Sequence, residues 1–415
     1  MVPTGCIIDV FRVQCTAPYG RVVLALSLFS VLTMAQKLRL NRLRTIKSSL
    51  AAIVFLLTIL GGFASAAGMF LLVLSDRPAA VLPQDQNVVP ALLQGGFSSA
   101  IDTFTEENHP VRDGAVAFIT ALRLTFFREG TGPVVIGSDY RFYTMEEFEH
   151  HPSDARILAE RVQWINTVAK AFRRDNVPLV IVLVPSKARV ENRDLSSRWR
   201  SLANHDRYEY ALQAIKNGPA HPVDPRNALA EMSEPFLRTD THWTPAGAAR
   251  VADLVRKKYE NIQHAGQTTA TVYALEESET VLHRGDLMQF VPLGRWERFF
   301  PLSREQVTIR EVRQLDDQPQ GGLFDSPDIP FTLVGTSFSA GNVWNFQDAL
   351  RHGLQGDVLD FAEEGLGPFV PMQRYLTGET YREIPPMLVV WEIPERYLTI
   401  PGTDLPQLPE SVTRS

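Results

Sequence analysis

An aspartate and a histidine two residues apart, Asp240 and His242, have the residue types and spacing of a pair for base catalysis. A serine hydroxyl is a poor nucleophile at neutral pH, so an imidazole must accept its proton and a carboxylate must orient that imidazole. Thr244 and Pro245 then follow as a helix N-cap and a first helical residue. The sequence therefore places the pair in a loop that opens a helix, where catalytic groups concentrate.

The candidate nucleophile is Ser337, which follows the short apolar segment 331–334 and the dipeptide Gly335-Thr336. A glycine turn at the end of a strand lifts the next side chain above the edge of a sheet. Each motif taken alone is more often a surface or capping arrangement than a catalytic one. Their combination predicts an Asp-His-Ser triad of Asp240, His242 and Ser337.

The elements that position these residues are predicted to form a mostly parallel sheet flanked by helices. Apolar residues recur at helical spacing over residues 158–172, and the continuous apolar run 177–185 follows, which is typical of a helix that leads into a buried parallel strand. Further apolar strands are predicted at residues 133–136, 331–335, 358–361 and 387–391. This α/β pattern places Ser337, Lys187 and Glu392 at the carboxyl ends of strands, where ligands of such sheets bind.

Four segments resemble the SGNH-hydrolase-like domain of the alginate O-acetyltransferases of the AlgJ and AlgX type. They are Asp-Thr-His-Trp at 240–243, Gly-Thr-Ser-Phe-Ser at 335–339, Val-Pro-Ser-Lys at 184–187 and Val-Trp-Glu-Ile-Pro-Glu-Arg at 390–396. The resemblance covers about residues 105–400 and implies that Asp240, His242 and Ser337 form the triad, in the permuted order of the acetyltransferase branch. One departure is the segment 137–143, Gly-Ser-Asp-Tyr-Arg-Phe-Tyr, where the family has Gly-x-Asp-Gly-Trp-Leu-Phe.

This resemblance implies a function. It is the transfer of acetyl groups onto hydroxyls of an exported, alginate-like polysaccharide through a serine acyl-enzyme. The acetyl donor would be an MBOAT-type membrane acyltransferase, and the short segment after residue 396 resembles the layout of the AlgJ type. Two alternatives stay open, because fold alone does not fix function: a carbohydrate acetylesterase with the same triad, and a catalytically silent scaffold of a polysaccharide secretion complex.

Other residues are candidates for substrate binding, namely Lys187, Trp243, Arg396 and Asn342. Lys187 and Arg396 are suited to an anionic polysaccharide, although a basic residue at a strand end is more often a surface charge or part of an ion pair. Trp243 is as suited to packing under the loop as to stacking on a sugar. Asn342 and Asn345 are candidates for a second oxyanion donor. No metal or other cofactor is predicted, because the Asp-x-His pair lacks the third protein ligand of a catalytic zinc.

The composition is that of a globular protein with more than one domain. The chain has 415 residues, of which 45% are hydrophobic and 21% charged. Its net charge of -6 gives no indication of nucleic-acid binding. Both cysteines, Cys6 and Cys15, precede the catalytic region, so no disulfide framework is predicted there.

The N-terminal region predicts a single-pass membrane protein. Residues 50–75 carry no charge and exceed the ~20 residues that a helix needs to cross a bilayer, so 49–75 is predicted to be a transmembrane anchor. Five basic residues between 37 and 47 precede it, so the positive-inside rule puts 1–48 in the cytoplasm and the catalytic domain in the periplasm of a bacterial inner membrane. A cleaved signal peptide is the alternative, since Ala-Ser-Ala at 64–66 imitates a cleavage site. Residues 1–33 are interpreted as an extension before a start at Met34.

The remaining boundaries follow from composition. Residues 76–104 are rich in Pro, Gln, Asp and Asn and are predicted to be a linker. Residues 105–400 are the SGNH-like domain, and 401–415 are a tail. Within the domain, about 265–325 is predicted to be a β-rich insertion that shapes the acceptor groove.

Overall fold

The computed structural model describes residues 112–413, apart from 204–205, 263–271, 303, 316–328 and 403, together with helical residues at 52–53, 55–64 and 67–68. The chain divides into two compact units, Met1–Arg112 and Asp113–Ser415. Within the described residues, no helix combines the length and the apolar character needed to cross a membrane. The predicted basic segment 1–48 and linker 76–104 lie outside the described residues, as does part of the predicted anchor 49–75.

Helices and strands alternate through most of the second unit. The helices are α1 (Arg112–Phe127), α2 (Asp154–Arg174), α3 (Lys187–Val190), α4 (Ser197–Ala203), α5 (Arg207–Lys216), α6 (Arg226–Ala230), α7 (Pro245–Ile262), α8 (Ser337–Ala340), α9 (Phe346–Leu354), α10 (Phe369–Thr377), α11 (Thr380–Glu383) and α12 (Glu410–Thr413). The strands are β1 (Val134–Ile136), β2 (Phe142–Thr144), β3 (Leu179–Val184), β4 (His221–Val223), β5 (Tyr273–His283), β6 (Glu305–Gln314), β7 (Phe331–Gly335), β8 (Val358–Ala362) and β9 (Leu388–Pro394).

The central sheet has the strand order β4-β3-β9-β7-β8, and each neighbouring pair is parallel. Every residue of β3, β7 and β9 is buried, as expected for strands covered by helices on both faces. The predicted parallel sheet flanked by helices is thus confirmed. The short strand β4 extends this sheet and has too little apolar sequence to be predicted.

The two faces of the sheet are covered by different helices. Side chains of β3 alternate: Ile181 packs into an apolar cluster with α2, α5 and α10, whereas Val182 packs into a second cluster with α7 and α9. This period-two alternation follows from strand geometry. The predicted helix over 158–172 is α2, and its apolar stripe is the buried face.

The predicted strand at 133–136 does not join the central sheet, which corrects that assignment. It is β1, and it pairs antiparallel with β2 so that Ile136 lies opposite Phe142. The chain reverses between them, and Asp139 and Tyr140 occupy the left-handed backbone region with φ of 52° and 53°. A reversal of a few residues joins antiparallel neighbours, whereas a parallel neighbour needs a long crossover.

The predicted β-rich insertion contains the antiparallel pair β5 and β6, with a register shift between Glu277 and Thr280. Two 3₁₀ turns, Asp286–Phe290 and Gly294–Phe299, follow β5. This pair does not join the central sheet. It lies against α9 and, as described below, against the loop that carries the Asp-His pair.

Candidate active site

Ser337 lies at the carboxyl end of β7, on a tight turn into α8. Thr336 is the N-cap of α8, and its Oγ1 accepts a hydrogen bond of 3.3 Å from the Phe338 N–H. A Cβ atom on Gly335 would lie 2.5 Å from Ser339 Oγ and 2.7 Å from Glu392 Oε2. The turn therefore requires glycine at this position, and the Ser337 side chain stays partly exposed at the sheet edge.

Glu392 of β9 supports this turn from below. Its Oε2 accepts hydrogen bonds from the Thr336 N–H (2.8 Å), from Thr336 Oγ1 (3.0 Å) and from Ser339 Oγ (3.1 Å). The side chain is fully buried, and this burial raises the pKa of Glu392 to about 7 although the hydrogen bonds act to lower it. Glu392 is therefore a buried carboxyl that protonates near neutrality.

The Asp-His pair lies on a loop held by backbone hydrogen bonds. The Leu237 N–H donates to the His242 carbonyl oxygen at 3.0 Å, and the Thr244 N–H donates to the Pro235 carbonyl oxygen at 3.0 Å. Thr244 Oγ1 accepts from the Gly247 N–H at 3.1 Å, which is an N-cap interaction. The predicted cap at Thr244 and the predicted helix, which is α7, are confirmed.

The structure brings the three predicted catalytic side chains into one hydrogen-bonded chain. His242 Nδ1 lies 2.6 Å from Asp240 Oδ1, and His242 Nε2 lies 2.8 Å from Ser337 Oγ. Burial acts to raise the pKa of Asp240, but hydrogen bonds from His242 and a second histidine, His283, hold it well below its ordinary value. Because Asp240 is ionised, His242 must donate through Nδ1, which leaves the Nε2 lone pair facing the Ser337 hydroxyl.

The second oxygen of Asp240 is also fully engaged. Asp240 Oδ2 accepts from His283 Nε2 at 2.7 Å and from the Asp286 N–H at 3.0 Å. Asp240 Oδ1 accepts from the His242 N–H at 2.9 Å in addition to the ring. Four donors therefore fix this carboxylate, and two of them are imidazoles.

The insertion supports the loop of Asp240 and His242 through two further carboxylates. Glu305 of β6 accepts from the Arg238 N–H at 2.7 Å and from the Thr239 N–H at 2.9 Å. Asp286 accepts from the Thr241 N–H at 2.9 Å and from Thr241 Oγ1 at 2.6 Å. The insertion thus fixes the position of the loop, which is a role that the sequence did not predict.

Trp344 packs directly against His242. Its ring stacks on the His242 ring with a centroid distance of 4.1 Å and an interplanar angle of 11°. Its Nε1 donates to the Ser337 carbonyl oxygen at 3.0 Å. One buried side chain therefore contacts both His242 and the segment that carries Ser337.

Lys187 does not lie where a substrate reaches it, which corrects its prediction as a substrate-binding residue. It is 2% exposed, and its Nζ donates to the carbonyl oxygens of four residues: Phe142 (2.8 Å), Leu237 (2.5 Å), Arg238 (3.0 Å) and Asp240 (3.0 Å). This ammonium group joins the β1–β2 hairpin to the loop that carries Asp240 and His242. Burial lowers its pKa, and the nearby Glu191 partly offsets that effect.

Trp243 packs under the loop, so its alternative role in sugar stacking is corrected. The ring is fully buried and lies edge-on to Phe338, with a centroid distance of 5.2 Å, and 4.9 Å from the Phe346 ring. A ring without exposed surface offers no face to a sugar. Its position holds the loop against α8 and α9.

The two asparagine candidates have different surroundings. Asn345 is the N-cap of α9, and its Nδ2 donates to the Arg310 carbonyl oxygen at 2.9 Å and to Asp348 Oδ2 at 3.0 Å. Its amide hydrogens are therefore committed, which corrects its prediction as an oxyanion donor. Asn342 is exposed on the turn before Trp344.

Arg396 lies beside Phe338, the residue after Ser337, and is only weakly paired. Its guanidinium carbon is 6.0 Å from the centroid of the Phe338 ring, and its Nε is 4.0 Å from a Glu146 carboxylate oxygen. The Nε is buried and has no hydrogen-bond partner. A cavity of about 20 Å³ lies between Arg396, Phe338 and Thr241, which is room for about one water molecule.

One group of ligand-type side chains occurs in this site. Asp240, His242 and Asp286 each place a ligand atom within 4.8 Å of the others. The hydrogen bonds described above account for this proximity, since each of these carboxylates already accepts from N–H or O–H donors.

Several residues of the site carried no sequence signal. His283 is 43 residues from Asp240, and Asp286 is 45 residues from Thr241. Contacts over such separations depend on how the insertion folds back, which no local spacing encodes. Trp344 is only seven residues from Ser337, so its sequence position was the nearest available indication that it contacts the site.

The fold and the Ser-His-Asp geometry together define a class, the α/β proteins of the SGNH-hydrolase type with a serine at a strand end. Residues 134–395 match the family described as SGNH hydrolase-like domain, acetyltransferase AlgX. The chain belongs to this family.

Relatives and a solved structure agree with this assignment. "Probable alginate O-acetylase AlgJ" of Azotobacter vinelandii is 33% identical over 313 residues, which cover 74% of this chain and 80% of that protein. "Alginate biosynthesis protein AlgX" of Pseudomonas syringae pv. tomato is 27% identical over 269 residues, which cover 62% of this chain and 54% of that protein. The solved "O-Acetyltransferase Domain of Pseudomonas putida AlgJ" is similar with a TM-score of 0.60 and 30% identity, covering 68% of this chain and 99% of that one.

Proposed function

We propose that this protein is an O-acetyltransferase that places acetyl groups on hydroxyls of an alginate-like polysaccharide through an acyl-enzyme on Ser337. The observation that carries the proposal is the continuous hydrogen-bonded chain from Asp240 through His242 to Ser337. The relatives named as probable alginate O-acetylases support the acetyl group and the acceptor.

In the first step, His242 Nε2 takes the proton of the Ser337 hydroxyl as the oxygen attacks the acetyl carbonyl carbon. Asp240 stabilises the imidazolium that forms. Backbone N–H groups near Ser337 hold the negative oxygen of the tetrahedral intermediate. His242 then returns the proton to the departing group, and the acetyl ester of Ser337 remains.

In the second step, a sugar hydroxyl attacks the Ser337 ester. His242 accepts the proton of that hydroxyl and gives it back to Ser337 Oγ as the product leaves. Water competes for the same ester, so transfer depends on how well the site positions the acceptor and excludes solvent.

Arg396 supplies positive charge for an anionic acceptor. Its guanidinium group lies beside the residue that follows Ser337, and its nearest carboxylate is 4.0 Å away. A uronate carboxylate is a planar acceptor that suits a guanidinium group. We expect Arg396→Gln to raise the KM for a uronate oligosaccharide about tenfold and to leave hydrolysis of a neutral acetyl ester within about twofold, since about 1.4 kcal/mol corresponds to a factor of ten. Equal effects on both substrates would contradict this role.

We also propose that the chain is anchored in the inner membrane with the catalytic unit in the periplasm, where an MBOAT-type acyltransferase supplies the acetyl group. The uncharged segment 50–75 and the basic residues before it support this topology. Reporter fusions after residue 76 test it: activity of a periplasm-dependent reporter is expected, and activity of a cytoplasm-dependent reporter would refute it.

The test of function follows both products of the reaction. The purified chain is incubated with an activated acetyl ester and mannuronate oligosaccharides, and acetylated sugar and free acetate are measured by mass spectrometry and NMR. We expect acetylated oligosaccharide that is absent with Ser337→Ala. Acetate alone, even at high oligosaccharide concentration, would overturn transfer in favour of an esterase, and equal products with Ser337→Ala would overturn the serine mechanism.

A further inference from the structure

We propose that His283 is a positioning residue for the reaction, a second imidazole that sets the charge available on Asp240 and thereby the basicity of His242 toward Ser337. This inference rests on the proposed function and extends the site into the β5–β6 insertion. If His283 has this role, the insertion contributes to the reaction in addition to shaping the acceptor groove.

His283 hydrogen-bonds directly to the carboxylate of Asp240. Its Nε2 lies 2.7 Å from Asp240 Oδ2, while His242 Nδ1 lies 2.6 Å from Asp240 Oδ1. The two imidazoles therefore bind opposite oxygens of one buried carboxylate at nearly equal distances. Because Asp240 is ionised, His283 Nε2 must carry a hydrogen in every protonation state of its ring.

The surroundings of His283 favour a positive charge on it. Three carboxylates act on its charge: Asp240 on the Asp-His loop, Asp286 on the following turn and Glu305 on the neighbouring strand β6. The hydrogen bond to Asp240 raises the pKa of His283 above its ordinary value of 6.5, against the opposing effect of burial. The adjacent Arg284 contacts Glu297 instead.

Protonation of His283 has a consequence for the base. A neutral His283 only donates a hydrogen bond, so the full negative charge of Asp240 stabilises the imidazolium that forms on His242. A charged His283 neutralises that carboxylate at close range, and attraction between Asp240 and the His242 imidazolium weakens. Activity should then fall as decreasing pH protonates His283.

Substitutions separate this role from simple packing. Gln at position 283 can donate one hydrogen bond to Asp240 but cannot titrate, whereas Ala can do neither. We expect His283→Gln to keep kcat/KM for an acetyl ester at pH 8 within about threefold of the original chain, and His283→Ala to lose about tenfold or more, mainly in kcat. His352→Gln is the matched control, because His352 is exposed on α9.

The pH profile decides the proposal. The original chain and His352→Gln should show an ionisation on the acidic limb of kcat/KM that His283→Gln lacks. Superimposable profiles, or equal losses in the Gln and Ala variants, would overturn the proposal, since a merely structural contact changes the rate without removing an ionisation.

A second measurement does not depend on turnover, so failure of the proposed function and failure of this inference are distinguishable. Histidine side chains are titrated by NMR in the full chain and in Asp240→Asn. We expect the pKa of His283 to fall in Asp240→Asn, even if the chain shows no Ser337-dependent activity. An unchanged pKa would overturn the coupling between His283 and Asp240.

Discussion

Replacing Glu392 with Gln should stabilise the protein at alkaline pH and have little effect in acid. The carboxyl lies under the nucleophile turn, fully buried, with three donors on Oε2 and no partner on Oε1. Gln has nearly the same shape and keeps an oxygen for those donors. It removes the charge that burial opposes and places an NH₂ group where Oε1 was.

The size of the effect follows from proton linkage. Burial raises the pKa of Glu392 from 4.5 to about 7 in the folded chain. Between these values the folded state holds a proton that the unfolded state has released, so the free energy of unfolding falls as pH rises. A difference of about 2.5 in pKa corresponds to about 3 kcal/mol, present below pH 4.5 and fully lost above pH 7.

The assay is denaturant unfolding of the original chain and Glu392→Gln at pH 5 and at pH 9. The difference between the two proteins should change by about 2 to 3 kcal/mol in favour of the variant between these pH values, because contributions of other groups cancel. A difference that does not change with pH, or that changes in the opposite direction, would refute the reasoning.

Glu395, three residues further along, is a matched control with the opposite sign. Its carboxylate is also buried, but Arg189 at 2.7 Å and Arg207 at 3.2 Å hold its pKa at about 2 against the effect of burial. Stability from this group is present above pH 4.5 and is lost as pH falls through about 2. Glu395→Gln should therefore destabilise the chain at neutral pH, by about 3 to 5 kcal/mol for the loss of a buried partner.

Two other substitutions test the framework of the site. Lys187→Met should lower the free energy of unfolding by about 3 kcal/mol or more, because the carbonyl oxygens of Phe142, Leu237 and Asp240 lose a buried donor. Lys216→Met on the exposed face of α5 should change it by less than about 0.5 kcal/mol. Denaturant unfolding measures both, and equal stabilities would contradict the structural role of Lys187. Trp344→Leu should lower kcat about tenfold, since the stacking on His242 is lost along with the hydrogen bond to Ser337, and Trp344→Phe should lose less because a ring remains. Equal kcat values for these variants and the original chain would show that the contacts of Trp344 with His242 and Ser337 have no effect on catalysis.

The sequence predicted the parts of the site that short segments encode. Asp240 and His242 share one turn, and Ser337 comes two residues after a strand of five consecutive buried residues, so local patterns were sufficient to predict that they meet. The parallel sheet was predictable for the same reason, because β3, β7 and β9 are short, mostly apolar segments in which every residue is buried.

Residues whose roles depend on distant contacts were not predictable in this way. Lys187 stands at a strand end in the sequence, which made it a candidate for substrate binding. In the structure it is buried, and it donates a hydrogen bond to Phe142 of the β1–β2 hairpin. The segment 137–143, which runs into β2, departs from the pattern of the family. The preceding strand β1 pairs with β2 and does not belong to the central sheet to which it was assigned. His283 and Glu305 reach the loop only because the insertion folds back on it.

The central claim is that Ser337 carries the acetyl group, and intact-mass spectrometry of the acetylated enzyme tests it most directly. The chain is mixed with an activated acetyl ester, quenched in acid within seconds and weighed, and the modified peptide is then sequenced. The account predicts a gain of one acetyl group on Ser337 that is absent in Ser337→Ala and strongly reduced in His242→Ala. Acetylation at another residue, or an adduct that persists in Ser337→Ala, would contradict it.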